Sequence, residues 1–170
     1  LVPVDVEVLP DGGDVGSDPE LAVLGVNAAG LVQVVVRDSV SGALVGSANF
    51  GTQFTEDLDL EVVGSDVGVL GTRPSDGLVR VQVRTLANVV VGTVTYGVKF
   101  TGVDLEVVGS DVAVLGSRLT DGAVRAQTRT VANTLVKQVN FGLTYTGVEL
   151  EVFGSDLGVM GVRTDNVVRT

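Results

Sequence analysis

The chain has 170 residues, a formal net charge of −10, and neither cysteine nor histidine. Its length suits one domain or two small ones with a sizeable core, because chains of this size bury roughly two-thirds of their surface on folding. The missing residue types exclude disulfides, thiolate zinc sites, a cysteine nucleophile and a Ser-His-Asp triad, and the acidity argues against nucleic acid, whose phosphates need clustered Lys and Arg.

The chain opens on Leu1 with no leader in view, so it reads as a processed or excised piece of a longer product. Val2, Val4, Val6 and Val8 alternate with Pro3, Asp5 and Glu7, the period of a half-buried strand, and Pro3 suits an edge. Asp11-Gly12-Gly13-Asp14 predicts a loop, after which Gly16-Ser17-Asp18 opens a motif that returns three times. Gly-Ser-Asp begins again at Gly64, Gly109 and Gly154, a constant spacing of 45 residues. Such a period is the mark of a repeat architecture. The divisions expected from it are 1–57, a divergent first repeat, then 58–102, 103–147 and an unfinished fourth repeat, 148–170.

The second and third repeats align without a gap and are identical at 27 of 45 positions, which demands the same local structure in both. Each predicts four strands. In the third repeat these are Asp104 to Val108, Val112 to Leu115, Val124 to Val131, and a long one from Leu135 to Thr146, with Asp121-Gly122 and Ala132-Asn133 as turns. Val79, Val81 and Val83 alternate with Arg80, Gln82 and Arg84. Val94, Tyr96, Val98 and Phe100 form an apolar row matched by Val139, Phe141, Leu143 and Tyr145, with Phe50 and Phe54 in the first repeat. Aromatics at repeated places read as packing, not as a ligand platform. The expected fold is all-β and antiparallel: sandwich-like tandem repeats of about 45 residues with four strands each. Pairs of repeats forming eight-stranded sandwiches and a continuous stack both fit. A propeller blade also has four strands, but fewer than four full blades leave ring closure doubtful.

Three constellations invite a chemical reading. The first is an acidic ladder: Asp59, Glu61 and Asp66, then Asp104, Glu106 and Asp111, then Glu149, Glu151 and Asp156. Calcium takes six to eight oxygens and such carboxylates could supply several, although neither the EF-hand loop nor a calcium-binding nonapeptide occurs. The alternative, preferred here, pairs these side chains with Arg80, Arg84, Arg125 and Arg129 across neighbouring strands. The second is catalysis. Ser65, Ser110 and Ser155 have no base beside them, the carboxylates repeat with the fold where a glycosidase site would be singular, and the glycine motifs lack a phosphate-binding helix, so no enzyme and no cofactor other than calcium is expected. The third is the unfinished fourth repeat, which the strand Leu1 to Val8 of another copy would complete, giving a head-to-tail polymer.

Val103-Asp104-Leu105-Glu106-Val107 followed by Val124-Arg125-Ala126-Gln127-Thr128-Arg129 resembles the opening of immunoglobulin-like repeats in bacterial and archaeal surface proteins. The resemblance implies a spacer, stalk or fibre subunit outside the cell and carries over no functional residue. The expected function is a non-catalytic structural protein of an extracellular filament, stalk or surface layer, self-associating, with no nucleic acid and no membrane insertion. A calcium-dependent adhesion module is the alternative.

Overall fold

The computed structural model describes residues 1–9, 18–54, 56–98, 100–142, 145–163 and 168–169. The expected loop Asp11–Asp14, Gly16, Ser17 and Leu143 lie outside them. The described residues form four antiparallel sheets, each a simple meander in chain order. Sheet 1 comprises β1 (Val2–Leu9), β2 (Glu20–Val26), β3 (Val32–Asp38) and β4 (Leu44–Gly51). Sheet 2 comprises β5 (Glu56–Val63), β6 (Asp66–Arg73), β7 (Leu78–Arg84) and β8 (Val90–Val98). Sheet 3 follows with β9 (Phe100–Val108), β10 (Asp111–Arg118), β11 (Val124–Thr130) and β12 (Leu135–Gly142). Sheet 4 has β13 (Tyr145–Phe153), β14 (Asp156–Arg163) and the short β15 (Val168–Arg169).

Glycine sets the recurring turn. Val63 pairs with Asp66, so Gly64-Ser65 is a two-residue hairpin loop, and Gly64, Gly109 and Gly154 all stand near φ +66°. A positive φ at the first central position alone is the pattern of a type II′ turn, whose twist matches the strands it joins.

The sheets stack face to face, and hydrophobic alternation decides which side chains meet. One core layer joins Ala22, Leu24, Val34, Val36 and Phe50 of sheet 1 to Leu60, Val67 and Val69 of sheet 2. The next joins Leu70, Val79, Val81, Val83, Val94 and Tyr96 to Leu105, Val112 and Val114. A third joins Ala113, Leu115, Val124 and Ala126 to Leu150. Sheets 2 and 3 are therefore apolar on both sides, as sheets covered on both faces must be. Of the two arrangements the sequence allowed, the molecule adopts the continuous stack. Each sheet has a proximal face toward sheet 1 and a distal face toward sheet 4.

One strand differs from expectation. The long fourth strand is two elements: β8 ends at Val98 and β9 starts in the next sheet at Phe100, while β12 ends at Gly142 and β13 starts at Tyr145. Gly97 (φ 111°) and Gly142 (φ 90°) stand at β-bulges just before the break, still paired with Val79 and Val124. Phe100 and Tyr145 thus leave the apolar row of their own repeat. They lie against Gly116 and Gly161 of the following second strand, as Phe54 lies against Gly71. The period boundaries at 58, 103 and 148 fall inside β5, β9 and β13, and the sheets begin a few residues earlier.

Candidate functional site: the joints between sheets

A sheet in a stack has two free edges whose backbone groups need partners. The repeats supply them from their neighbours. On the first-strand edge, Asp5 Oδ2 accepts from the Leu60 amide at 3.0 Å, Asp59 Oδ2 from Leu105 at 2.9 Å, and Asp104 Oδ2 from Leu150 at 2.7 Å. Each aspartate reaches one sheet forward. Asp5 and Asp59 also accept, through Oδ1, from the amide that follows them in their own strand.

The fourth-strand edge is covered from the opposite direction. Asn88, at φ 65° in the β7–β8 turn, accepts from the Asn49 amide of β4 at 2.8 Å, and the Ser47 amide donates to Leu86 O at 3.2 Å. Asn133, at φ 68°, does the same for the Thr95 amide of β8 at 3.1 Å. Each turn reaches one sheet back. Glycine admits it: a Cβ on Gly46 would come within 2.8 Å of Leu86 Cβ, and one on Gly92 within 2.4 Å of Val131 O. Arg84 and Arg129 complete the joint, lying over the rings of Phe50 and Tyr96 at 5.6 and 5.9 Å. Buried Tyr96 donates its hydroxyl to Val112 O at 2.9 Å.

This geometry corrects the arginine pairing. Arg84 and Arg129 bond Gln82 and Gln127 beside them and the turn oxygens of Asn88 and Asn133, while Arg125 bonds Asn140. Among the described residues the ion pairs are Arg73–Asp76 and Arg118–Asp121, within single hairpins. The reason is strand order. The acidic strands β5 and β9 are edges, separated from β7 and β11 by the intervening β6 and β10.

The acidic residues divide into three sets. Asp5, Asp59 and Asp104 form the amide-binding column. Glu7, Glu61, Glu106 and Glu151 form a second column beside it, one carboxylate per sheet. Burial first, then the Glu106, Glu7 and Asp59 charges, push Glu61 up to about 8. Burial, then Glu151, Asp104 and Glu7, push Glu106 up to about 7. Asp59 is also raised, chiefly by burial, while the Leu105 amide opposes the shift. Asp66 and Asp111 stand apart at the hairpin ends, opposite Val63 and Val108. Stacked sheets lie about 10 Å apart, whereas calcium holds its oxygens at roughly 2.3–2.6 Å. Among the described residues no three carboxylates gather as a metal set.

The cross-sheet roles of Asn88, Asn133, Gly46 and Gly92 escaped the sequence reading, in which Asn133 was a turn residue only. The recurrence of Asn88 and Asn133 at the repeat period was the available signal, but an Asn in a turn and a Gly in a strand have local explanations that hide a role in the neighbouring sheet. No protein-family model matches the chain, and no curated protein matches it.

Proposed function

We propose that this chain is a non-catalytic structural protein, a subunit or repeat segment of an extracellular filament, stalk or surface layer that associates with itself. One observation carries the reading: all three joints are made by apolar faces and two of them have both edges bonded across, yet among the described residues the outer faces of sheets 1 and 4 remain apolar and open. Of the carboxylates that first suggested a site, Asp59 and Asp104 bind amides across the joints. The resemblance to immunoglobulin-like repeats of surface proteins supplies the location outside the cell. Donation of Leu1 to Val8 would require β1 to leave β2, with which it is paired from Val2–Val26 to Leu9–Glu20. Association through intact faces needs no such rupture. Sedimentation over a wide concentration range, with electron microscopy of the products, tests the reading. Species that lengthen with concentration support it, and a chain that stays monomeric throughout sinks it.

The glutamate column favours a second reading, a calcium-dependent adhesion module, because a cation near Glu61 and Glu106 would relieve their mutual repulsion. Melting temperature then rises sharply with millimolar calcium and falls back with chelator. An unchanged melting curve removes this alternative.

A further inference from the structure

The two ends of the stack differ from its internal joints in ways that match each other. At the place held by Leu60, Leu105 and Leu150, each no more than 2 % exposed, β1 carries Val6, 52 % exposed. Across the proximal face of sheet 1, Val6, Val23 and Val35 stand side by side; the same row of sheet 2 reads Leu60, Val69, Gln82. The end face is thus the more apolar of the two, though solvent reaches it. On the distal face of sheet 4, Phe153 replaces Val63 and Val108, and Met160 replaces Leu70 and Leu115. These two are 68 % and 40 % exposed and line a hollow of about 280 Å³ with Glu151, Gly158 and Val159. One end is smaller than the internal pattern by a methylene at Val6, and the other is larger at Phe153.

The polar groups change in step. Glu149 follows Asp59 and Asp104 at the head of the amide-binding column, one methylene longer, and it is exposed. A thicker layer around Phe153 calls for that longer arm. In the β3–β4 turn, Gly42 holds the position of Asn88 and Asn133, so no side chain reaches back toward a fourth strand. Sheet 4 has three strands among the described residues. Within the chain, Lys137 of sheet 3 holds the position of Gly46 and Gly92, matching the missing fourth strand of sheet 4 and not the end faces.

From these paired departures we infer that the proximal face of sheet 1 in one copy seats on the distal face of sheet 4 in another, repeating between chains the joint made three times within one. Phe153 and Met160 enter the layer beside Val6, Val8 and Val23, and the Glu149 carboxylate accepts from the Val6 amide. The contact is heterologous, so the rotation at each joint decides between a closed ring and an open filament. The inference rests on the self-association proposed above and names its surface.

Two variants of the 170-residue chain test it, Val6→Asp and Met160→Asp. Both positions are exposed, and a melting temperature equal to that of the parent diluted to monomer confirms an intact fold for each. Each variant alone sediments as a monomer, because one half of every joint is blocked. Mixed in equal amounts they form a dimer, from the free distal face of the first and the free proximal face of the second. Glu149→Ala weakens association about tenfold or more, the loss of one charge-assisted hydrogen bond. If either aspartate variant polymerises like its parent, or the mixture stays monomeric, the joint is wrong while self-association survives. If the parent itself never associates, both fall. Rings in place of filaments overturn the filament reading and leave the joint standing.

Discussion

Leu105 and Val6 occupy the same place in the repeat and live in opposite surroundings. Leu105 lies at the centre of a joint, its amide bound by Asp59 and its side chain in the layer with Val112 and Val114. Val6 has the same strand geometry, and Asp5 holds its amide locally, but no sheet among the described residues covers it. The contrast shows that the strand pattern specifies a sheet, whereas burial of its outward face depends on the neighbour. The differences between interior and end are graded, and substitutions at matched positions separate them.

The largest effect belongs to Leu105→Ala, which leaves a cavity between sheets 2 and 3 and costs about 2–5 kcal/mol by urea unfolding. Val6→Ala in the monomer changes stability by less than about 0.5 kcal/mol, as expected of an exposed site. Equal losses at both positions would erase the distinction between joint and end. Gly92→Lys comes next. It transplants the residue of β12 into β8, drives a Cβ against Val131 O, and costs about 1–3 kcal/mol as overpacking does. The reverse change, Lys137→Gly, meets no docked turn among the described residues and stays small.

Asp59→Ala strips the Leu105 amide of its acceptor from the neighbouring sheet, at about 1–3 kcal/mol. Asp59→Asn keeps a carbonyl oxygen and loses a charge from an acidic column, so it retains most of that stability. Comparable losses for the two variants would show that charge, not the acceptor, matters there. The most gradual effect is a pH slope. Glu61 has a folded pKa of about 8, and an unfolded glutamate sits near 4.3. Between those values the folded chain holds a proton that the unfolded chain has lost, so stability falls as pH rises from about 5 to 8. Melting temperature is therefore higher at pH 5 than at pH 9, and Glu61→Gln flattens the slope. A flat profile in the parent would mean that the glutamate column is better solvated than its burial indicates.

Much of the fold was legible because its signals are local. The spacing of Gly-Ser-Asp gave the period, valine alternation gave the strands, and glycine after an apolar run gave the turns. The break between Val98 and Phe100 was not legible, since apolar residues continue across it and only the backbone at Gly97 shows the chain changing sheets. The acidic ladder was visible as a pattern but misread as to partner. A carboxylate on a strand looks the same whether it meets an arginine two strands away or an amide one sheet away.

The sequence by itself determined the repeat, the strand faces and the turn chemistry, because those depend on the side-chain period and on which residues tolerate positive φ. Tertiary structure alone decided that first strands are edges, and therefore that Asp5, Asp59 and Asp104 bind forward while Asn88 and Asn133 bind back. An edge exists only once a sheet has an order and a neighbour, and neither is written in any one repeat.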